Sequence, residues 1–443
     1  AAASQHQVYL PIAGAMGSAG SVAYQVRFGV ASAAPRRYAL ARLAAMPPIA
    51  ALSRDVGSNL RSASNRADYL LVSHRSLWPA AETLASHRRA RGLAVAVVDI
   101  QDIYDEFSNG RMDPRAIRDF VAAAYGSWQA PAPGYLMLLG SAHFDYRMRT
   151  GLATQPILVP TYFSCADPFT CEVAVENEFV AISGSDRVPD LALGRLPARN
   201  LAEATLMVNK TISYETAPPA GAWRSTLAFV ADNYRAADGT PDPAGNFEAL
   251  SNGAIALVPS QYAVTRIFYD PYPNDDGGEP YRYRTATAAT DAIVTAVNTG
   301  AVFLNYIGHA GITTWAHEAL LRARDTGRND VTRFSNGGRL PIVLDMACAS
   351  GNFADPQQTG LEVMMLGWSA GGSVAGWAAT GFGVATGHDQ LHRGFYQAVF
   401  GGGRILGAAT TAGKQALWST GRNLDLLDTF DLLGDPALRI NLP

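Results

Sequence analysis

Two residues in this sequence have the chemistry of a nucleophile and its proton carrier, Cys348 and His309. A thiol of ordinary pKa, about 8.5, is only slightly ionised near neutral pH. An adjacent imidazole can take its proton or hold the thiolate as an ion pair, and can later protonate a leaving amine. Both residues follow apolar runs. Ala301-Val-Phe-Leu-Asn-Tyr leads into Gly308-His309-Ala310-Gly311, and Leu340-Pro-Ile-Val-Leu-Asp-Met-Ala leads into Cys348. Such runs read as buried parallel strands, and in open α/β sheets ligands gather at the carboxyl ends of those strands. If the two strands are neighbours, the distance along the chain collapses to side-chain distance. The small residues that follow, Ala310-Gly311 and Ala349-Ser350-Gly351, let a substrate backbone approach closely. The N–H of Cys348 and one from Gly308-His309-Ala310 are the expected oxyanion donors, and losing one such donor costs about 3 kcal/mol. Taken alone, a cysteine after an apolar strand is more often an inert buried residue; the histidine among glycines is the stronger signal.

The surrounding pattern supplies the strands and helices that would position this pair. Tyr69-Leu-Leu-Val-Ser, Leu93-Ala-Val-Ala-Val-Val and Tyr135-Leu-Met-Leu-Leu-Gly read as strands. Helices are expected over Trp78–Arg91 and Arg115–Tyr125, the second entered through Asp113-Pro114, with a short helix or loop over Ile100–Phe107. This alternation is the signature of a parallel, doubly wound layer. A strand and turn at Leu191–Pro197 and a helix over Ala202–Glu215 close the first half. The pattern restarts after Pro218-Pro219, with strands at Thr226–Ala231, Tyr262–Phe268, Ala301–Tyr306, Leu340–Ala347 and Ser373–Ala378. Helices are expected there over Asn246–Leu257, Ala288–Asn298 and His388–Phe400, and a last turn and strand over Phe430–Ile440. The rest of Val363–Gly383 reads as buried strand and turn. The expected organisation is an N-terminal extension over 1–64 (a pro-segment, a linker or the end of a β-module), an α/β subdomain over 65–217 and a second over 218–443.

Composition narrows the function classes. With 48% apolar and 16% charged residues, the 443-residue chain can bury a large core. A net charge of −3 gives no basic footprint for nucleic acid, and no apolar stretch is long enough to span a membrane. Of the three cysteines, Cys165 and Cys171 sit close together and Cys348 stands alone. In an exported protein this reads as a small disulfide loop plus a free thiol; the alternative is three unrelated reduced cysteines. The chain begins Ala-Ala-Ala-Ser-Gln, like a processed or trimmed form.

Three other motifs compete for attention. Gly367-Trp-Ser369-Ala-Gly371 matches a nucleophile elbow, but no acid lies between Ser369 and His388, and a Gly-rich stretch follows where a helix should. His388 and His392 stand four apart like two zinc ligands, yet Asp389 replaces the needed Glu and no third ligand is evident. Asn274-Asp-Asp-Gly-Gly-Glu279 is rich in oxygen ligands, so Asp275, Asp276 and Glu279 are the candidate metal ligands. It lacks EF-hand spacing, and a solvated turn is the plainer reading.

The segments Asn305-Tyr-Ile-Gly-His-Ala-Gly with Trp315, and Pro341-Ile-Val-Leu-Asp-Met-Ala-Cys-Ala-Ser-Gly-Asn-Phe, resemble the His and Cys motifs of the gingipain peptidases, relatives of the caspases. Ala67–Val72, Tyr104–Phe107 with Ala116–Phe120, Tyr135–Gly140, Gly194–Pro197 and Leu433–Leu438 stand where that family has similar segments, so the resemblance covers roughly residues 67–440. It implies two α/β subdomains with mainly parallel sheets flanked by helices, the second caspase-like. It implies a secreted cysteine endopeptidase working through a Cys348–His309 dyad and a thioacyl-enzyme, with the oxyanion held by Cys348 and Ala310 N–H groups. Protein or peptide substrates, an extracellular or cell-surface setting, zymogen processing with the N-terminal segment contacting the enzyme in cis, no catalytic cofactor and a structural calcium ion follow from the same resemblance. Two other functions use the same residues: a sortase-like transpeptidase with the same dyad, and a catalytically silent surface module.

This chain also departs from the family pattern. Ala310 replaces the glycine that usually follows the histidine. Asp232, with Asn233 beside it, is the candidate carboxylate for orienting the imidazole; the alternative is a helix N-cap or turn residue. The acid that selects arginine in some relatives falls near Asp242–Asn246, with Gly245 or Asn246 on that position and Asp242 close by. Asn246 there would weaken any preference for arginine. Trp377 and Phe382 are either walls of that pocket or plain core aromatics.

Overall fold

The structure is a computed structural model that describes residues 57–152, 155–272, 278–323 and 328–443. The N-terminal extension therefore lies outside the described residues up to Val56. From Gly57 the chain is tied to the first half of the fold: Ser58 Oγ and Leu60 N–H both donate to Glu106, and Trp128 Nε1 donates to the Leu60 carbonyl.

In chain order the first half contains β1 (Tyr69–Ser73), α1 (Trp78–Ala90), β2 (Val95–Asp99), α2 (Ile100–Ser108), α3 (Pro114–Ser127), β3 (Tyr135–Leu139), β4 (Phe163–Asp167), β5 (Cys171–Ala174), β6 (Ala192–Leu196) and α4 (Leu201–Thr216). Local chemistry sets the helix starts. Asp99 and Asp113 accept main-chain N–H groups at the first turns of α2 and α3, and Pro114 occupies a first-turn position where its missing N–H is no loss. The second half contains β7 (Thr226–Ala231), α5 (Phe247–Ile255), β8 (Ala263–Tyr269), β9 (Arg282–Tyr283), α6 (Ala286–Thr299), β10 (Phe303–Ile307), β11 (Ala310–Gly311), β12 (Thr314–Trp315), β13 (Leu321–Arg322), β14 (Ile342–Met346), α7 (Leu361–Gly367), β15 (Ala375–Ala379), α8 (Ala385–Phe400), α9 (Leu406–Thr420), α10 (Leu426–Thr429) and β16 (Phe430–Leu433).

Eleven of these strands form one sheet, in the order β2-β1-β3-β6-β16-β15-β14-β10-β7-β8-β9. The last strand in sequence is the joint between the halves. β16 pairs antiparallel with β15, through Gly376 with Leu433 to Ala379 with Phe430, and parallel with β6, through Leu433 and Arg195. The other neighbours in this sheet are parallel, so the strands of the two halves run in opposite directions. Helices cover both faces. Around the second half, α5, α8 and α9 pack on one face through Phe247, Leu391, Phe395 and Leu417, while α6 and α7 pack on the other through Ile293, Val297, Leu361 and Met365. Strands buried on both faces are what near-continuous apolar runs produce.

The structure differs from the sequence expectation at several places. Val363–Gly367, expected as strand and turn, belongs to the helix α7, a run too short to carry a usable period. Of its two readings, Trp377 takes that of a core aromatic. It is fully buried in β15, packs against Phe395 and Phe430, and rests on Gly413 of α9. The cysteines match the expectation: Cys165 and Cys171 form a disulfide and Cys348 is free. No described helix is long and apolar enough to cross a membrane.

Candidate active site

β10 and β14 are hydrogen-bonded parallel neighbours, with Ile307 opposite Met346 at their carboxyl ends. His309 and Cys348 each lie two residues beyond that last pair. The expected adjacency of the two strands is therefore met, and both side chains leave the same edge of the sheet.

The histidine loop is held by its surroundings. Asp232, at the end of β7, is buried and accepts the His309 main-chain N–H at 3.1 Å. Tyr306 Oη donates to the His309 carbonyl at 2.6 Å, and Ala316 N–H donates to it at 2.7 Å. Ala310 pairs with Trp315 across the short β11–β12 hairpin. Gly308 fits only without a side chain, since a Cβ there would run into Asp232 and the Tyr306 hydroxyl. The imidazole itself is 41% exposed, lies edge-on to Phe247 and meets Asp242 Oδ2 through Nε2 at 2.9 Å.

This arrangement corrects two expectations. Asp232 was expected to orient the ring, but it reaches only the main chain, and the ring belongs to Asp242. Burial pushes Asp232 up to about 7, with the His309 N–H acting in the opposite direction. Asn246, expected in a specificity pocket, uses its side-chain oxygen to cap α5, accepting from Ala249 N–H at 2.9 Å.

The cysteine sits on a tight turn. Ala349 N–H donates to Gly381 O at 2.8 Å, Gly351 N–H to Ala379 O at 2.9 Å, and Ala349 adopts φ 54°. A non-glycine residue in the left-handed region is uncommon, and such conformations cluster at functional sites. The Cys348 thiol points to the Gly383 carbonyl at 3.7 Å. Burial is the main cause that raises its pKa above the ordinary thiol value, aided by Asp345 and Asp167 and opposed by the contact with Gly383. Phe382, the residue before Gly383, is 38% exposed, so it is not the core aromatic that was its alternative reading.

A buried network missed by the sequence reading connects the two loops. Asp345, three residues before Cys348, accepts from Trp315 Nε1 at 2.6 Å. Trp315 stacks on Tyr306 with centroids 4.4 Å apart, and Tyr306 carries the bond to His309. Glu362 of α7 faces Asp345, and burial raises both carboxyl groups, Asp345 to about 6. The signal was present in the sequence: a lone carboxylate inside an apolar strand needs a partner.

Of the other motifs, His388 lies beneath this edge, bonded to the Met346 main chain and close to Gly383, while His392 is directed into the core. His388 and His392 are buried in α8 and pushed down to about 4 and about 3 by desolvation, and His392 Nε2 is paired with Asn305. Of the expected metal ligands, Asp275 and Asp276 lie outside the described residues, and Glu279 pairs with Arg282 at 3.2 Å. No group of three or more His, Cys, Asp or Glu suited to a metal occurs among the described residues.

Gingipain R2 of Porphyromonas gingivalis is 24% identical over 318 residues, which is 67% of this chain and 39% of that protein. A Gingipain R1 of the same organism is also 24% identical, over 29% of its length. The chain thus spans well under half the length of these relatives. Among solved structures, the Arg-specific cysteine proteinase gingipain R superimposes with a TM-score of 0.66 at 18% identity, covering 84% of this chain and 78% of that one. A complex of Porphyromonas gingivalis RgpB pro- and mature domains gives the same TM-score. These superpositions establish a caspase-like α/β fold. The profile of Peptidase family C25 matches residues 62–441, so the chain belongs to that family, the gingipain-type cysteine peptidases.

Proposed function

We propose that this protein is a cysteine endopeptidase in which Cys348 is the nucleophile and His309 its base and acid. The observation that carries this reading is the pairing of β10 with β14, which sets a histidine and a free cysteine at matching positions on one sheet edge. In the substrate-free form the thiol rests on Gly383 O, and burial keeps it protonated. As substrate binds, the thiol proton passes to His309, and sulfur attacks the scissile carbonyl carbon. The carbonyl oxygen takes the negative charge, facing the N–H groups of Cys348 and Ala310. Collapse breaks the C–N bond, the imidazolium protonates the leaving amine, and a thioester remains on Cys348. Water activated by the same imidazole then hydrolyses that thioester. Asp242 orients the ring, and Asp232 orients the loop on which it is mounted.

The exposed Cys165–Cys171 disulfide supports an extracellular or cell-surface setting, since such bonds persist in oxidising compartments. The pro- and mature-domain complex of a relative supports a contact in cis from the N-terminal segment. The experiment that tests the reading is cleavage of an unfolded protein substrate by wild type and Cys348→Ala, with and without removal of residues 1–56. Cysteine-dependent hydrolysis is expected, and cleavage that survives in Cys348→Ala would refute it.

A further inference from the structure

The β4–β5 hairpin belongs to the first half of the chain, yet it is fastened to the loop that receives the thiol of the second half. Thr380 Oγ1 donates to the Ala174 carbonyl at 2.7 Å. Asp167, 2% exposed, accepts Phe382 N–H at 2.6 Å. Within the hairpin the same carboxylate accepts Phe169 N–H at 2.7 Å, Thr170 N–H at 3.1 Å and Thr170 Oγ1 at 2.7 Å. The Cys165–Cys171 disulfide closes the base of this turn. A chain of contacts thus runs from the hairpin tip through Phe382 to Gly383, whose carbonyl meets Cys348.

The tip carries Phe169. At 65% exposure it is the most exposed large apolar side chain among the described residues. It stands edge-on to Phe382, 6.5 Å between centroids, and Phe382 and Val384 are each 38% exposed. Burying one such side chain is worth about 1.5–3 kcal/mol. Phe169 and Phe382, packed together beside the carbonyl that holds a nucleophilic thiol, form an apolar surface that a ligand in that site would cover.

We propose that Phe169, presented by the disulfide-closed hairpin, and Phe382 form an apolar subsite that receives an apolar or aromatic side chain of the peptide substrate beside the scissile bond. This rests on the cysteine-peptidase reading above. The occupant is a substrate side chain because Phe382 is bonded to the residue whose carbonyl contacts the thiol, so an acyl group on Cys348 extends across these rings. Apolar pockets discriminate modestly, by about 10- to 200-fold per methylene-scale difference.

The test uses the full chain and a library of peptides cut by wild type, Cys348→Ala, Phe169→Ala and the double variant Cys165→Ser/Cys171→Ser, with sites mapped by mass spectrometry. Wild type is expected to favour an apolar residue at one position adjoining the cut. The ratio of kcat/KM for that residue over glycine is expected to fall about tenfold in Phe169→Ala, and to fall in the double variant. Phe169 is exposed, so its replacement leaves the fold intact, which circular dichroism checks. An unchanged ratio overturns the subsite, whether or not the variant alters self-association or contact with residues 1–56. Peptides left uncut by wild type, or cut equally by Cys348→Ala, would remove the peptidase reading and the subsite together.

Discussion

Asp232 holds His309 by its main chain: the carboxylate accepts the His309 N–H at 3.1 Å, while the ring Nε2 is bound to Asp242 at 2.9 Å. One acid sets the position of the loop and the other sets the direction of the ring. Asp242→Ala is therefore expected to slow peptide cleavage by up to about a hundredfold, the lower part of what general acid–base catalysis contributes, without loss of thermal stability. Steady-state kinetics and a melting curve on the same preparation check this. A variant with full activity would show that the ring needs no such partner.

Asp232 makes a pH-dependent contribution whose sign can be worked out. Its folded-state pKa, about 7, lies above the ordinary aspartate value of 3.8. The stability associated with its protonated form is complete below the unfolded value and is lost as pH rises through the folded one. Asp232→Asn keeps the acceptor oxygen and cannot ionise. Its stability relative to wild type is expected to rise between about pH 4 and pH 7 and then level off, read by urea unfolding at a series of pH values. Asp232→Ala leaves the His309 N–H without its acceptor, which costs about 1–3 kcal/mol.

Gly308→Ala is expected to abolish activity while leaving most of the fold in place. The added Cβ meets Asp232 and the Tyr306 hydroxyl, the two groups that fix the histidine loop. Cleavage rates fall with the displacement of His309, and activity near the wild-type level would show that the loop relaxes without moving the imidazole.

The strands behind the site were legible in the sequence because buried parallel strands announce themselves as apolar runs, and both His309 and Cys348 stand just past one. What surrounds them was harder to read. Asp232 and Asp242 follow the same strand, and nothing in their order says which carboxylate finds the ring and which the main chain. Asn246 could serve a pocket or cap a helix, and the cap took it. The helix Leu406–Thr420 went unread because between Leu406 and Leu417 its buried face is made by Gly407, Ala409, Thr410, Gly413 and Lys414, which leave no continuous apolar stripe. Phe169 lies in a loop with no period at all, and only the packing of the hairpin on Phe382 brings it to the site.

Trp315→Phe keeps the stacked ring and removes the indole donor. Asp345 then loses its 2.6 Å partner in a fully buried position. Stability is expected to fall by about 1–3 kcal/mol, and kcat to fall with it because Asp345 lies on the strand that carries Cys348. Denaturant unfolding and kcat measured together test the link; a stability loss with unchanged kcat would confine the network to a structural role.

Asp167→Ala removes a carboxylate that raises the Cys348 thiol pKa and frees the Phe382 N–H. The midpoint of the alkylation rate of Cys348 against pH is expected to move down. An absent shift would mean that Asp167 does not act on the thiol, and an upward one would contradict the assigned sign.

The central claim is that His309 activates Cys348, and the most direct measurement is labelling by iodoacetamide or a chloromethylketone, followed by peptide mapping, on wild type and His309→Ala after removal of residues 1–56. Fast labelling confined to Cys348 and slowed by about 10²-fold or more in His309→Ala is the expected result. Slow labelling that does not depend on His309 would contradict the account and leave Cys348 as an inert buried thiol.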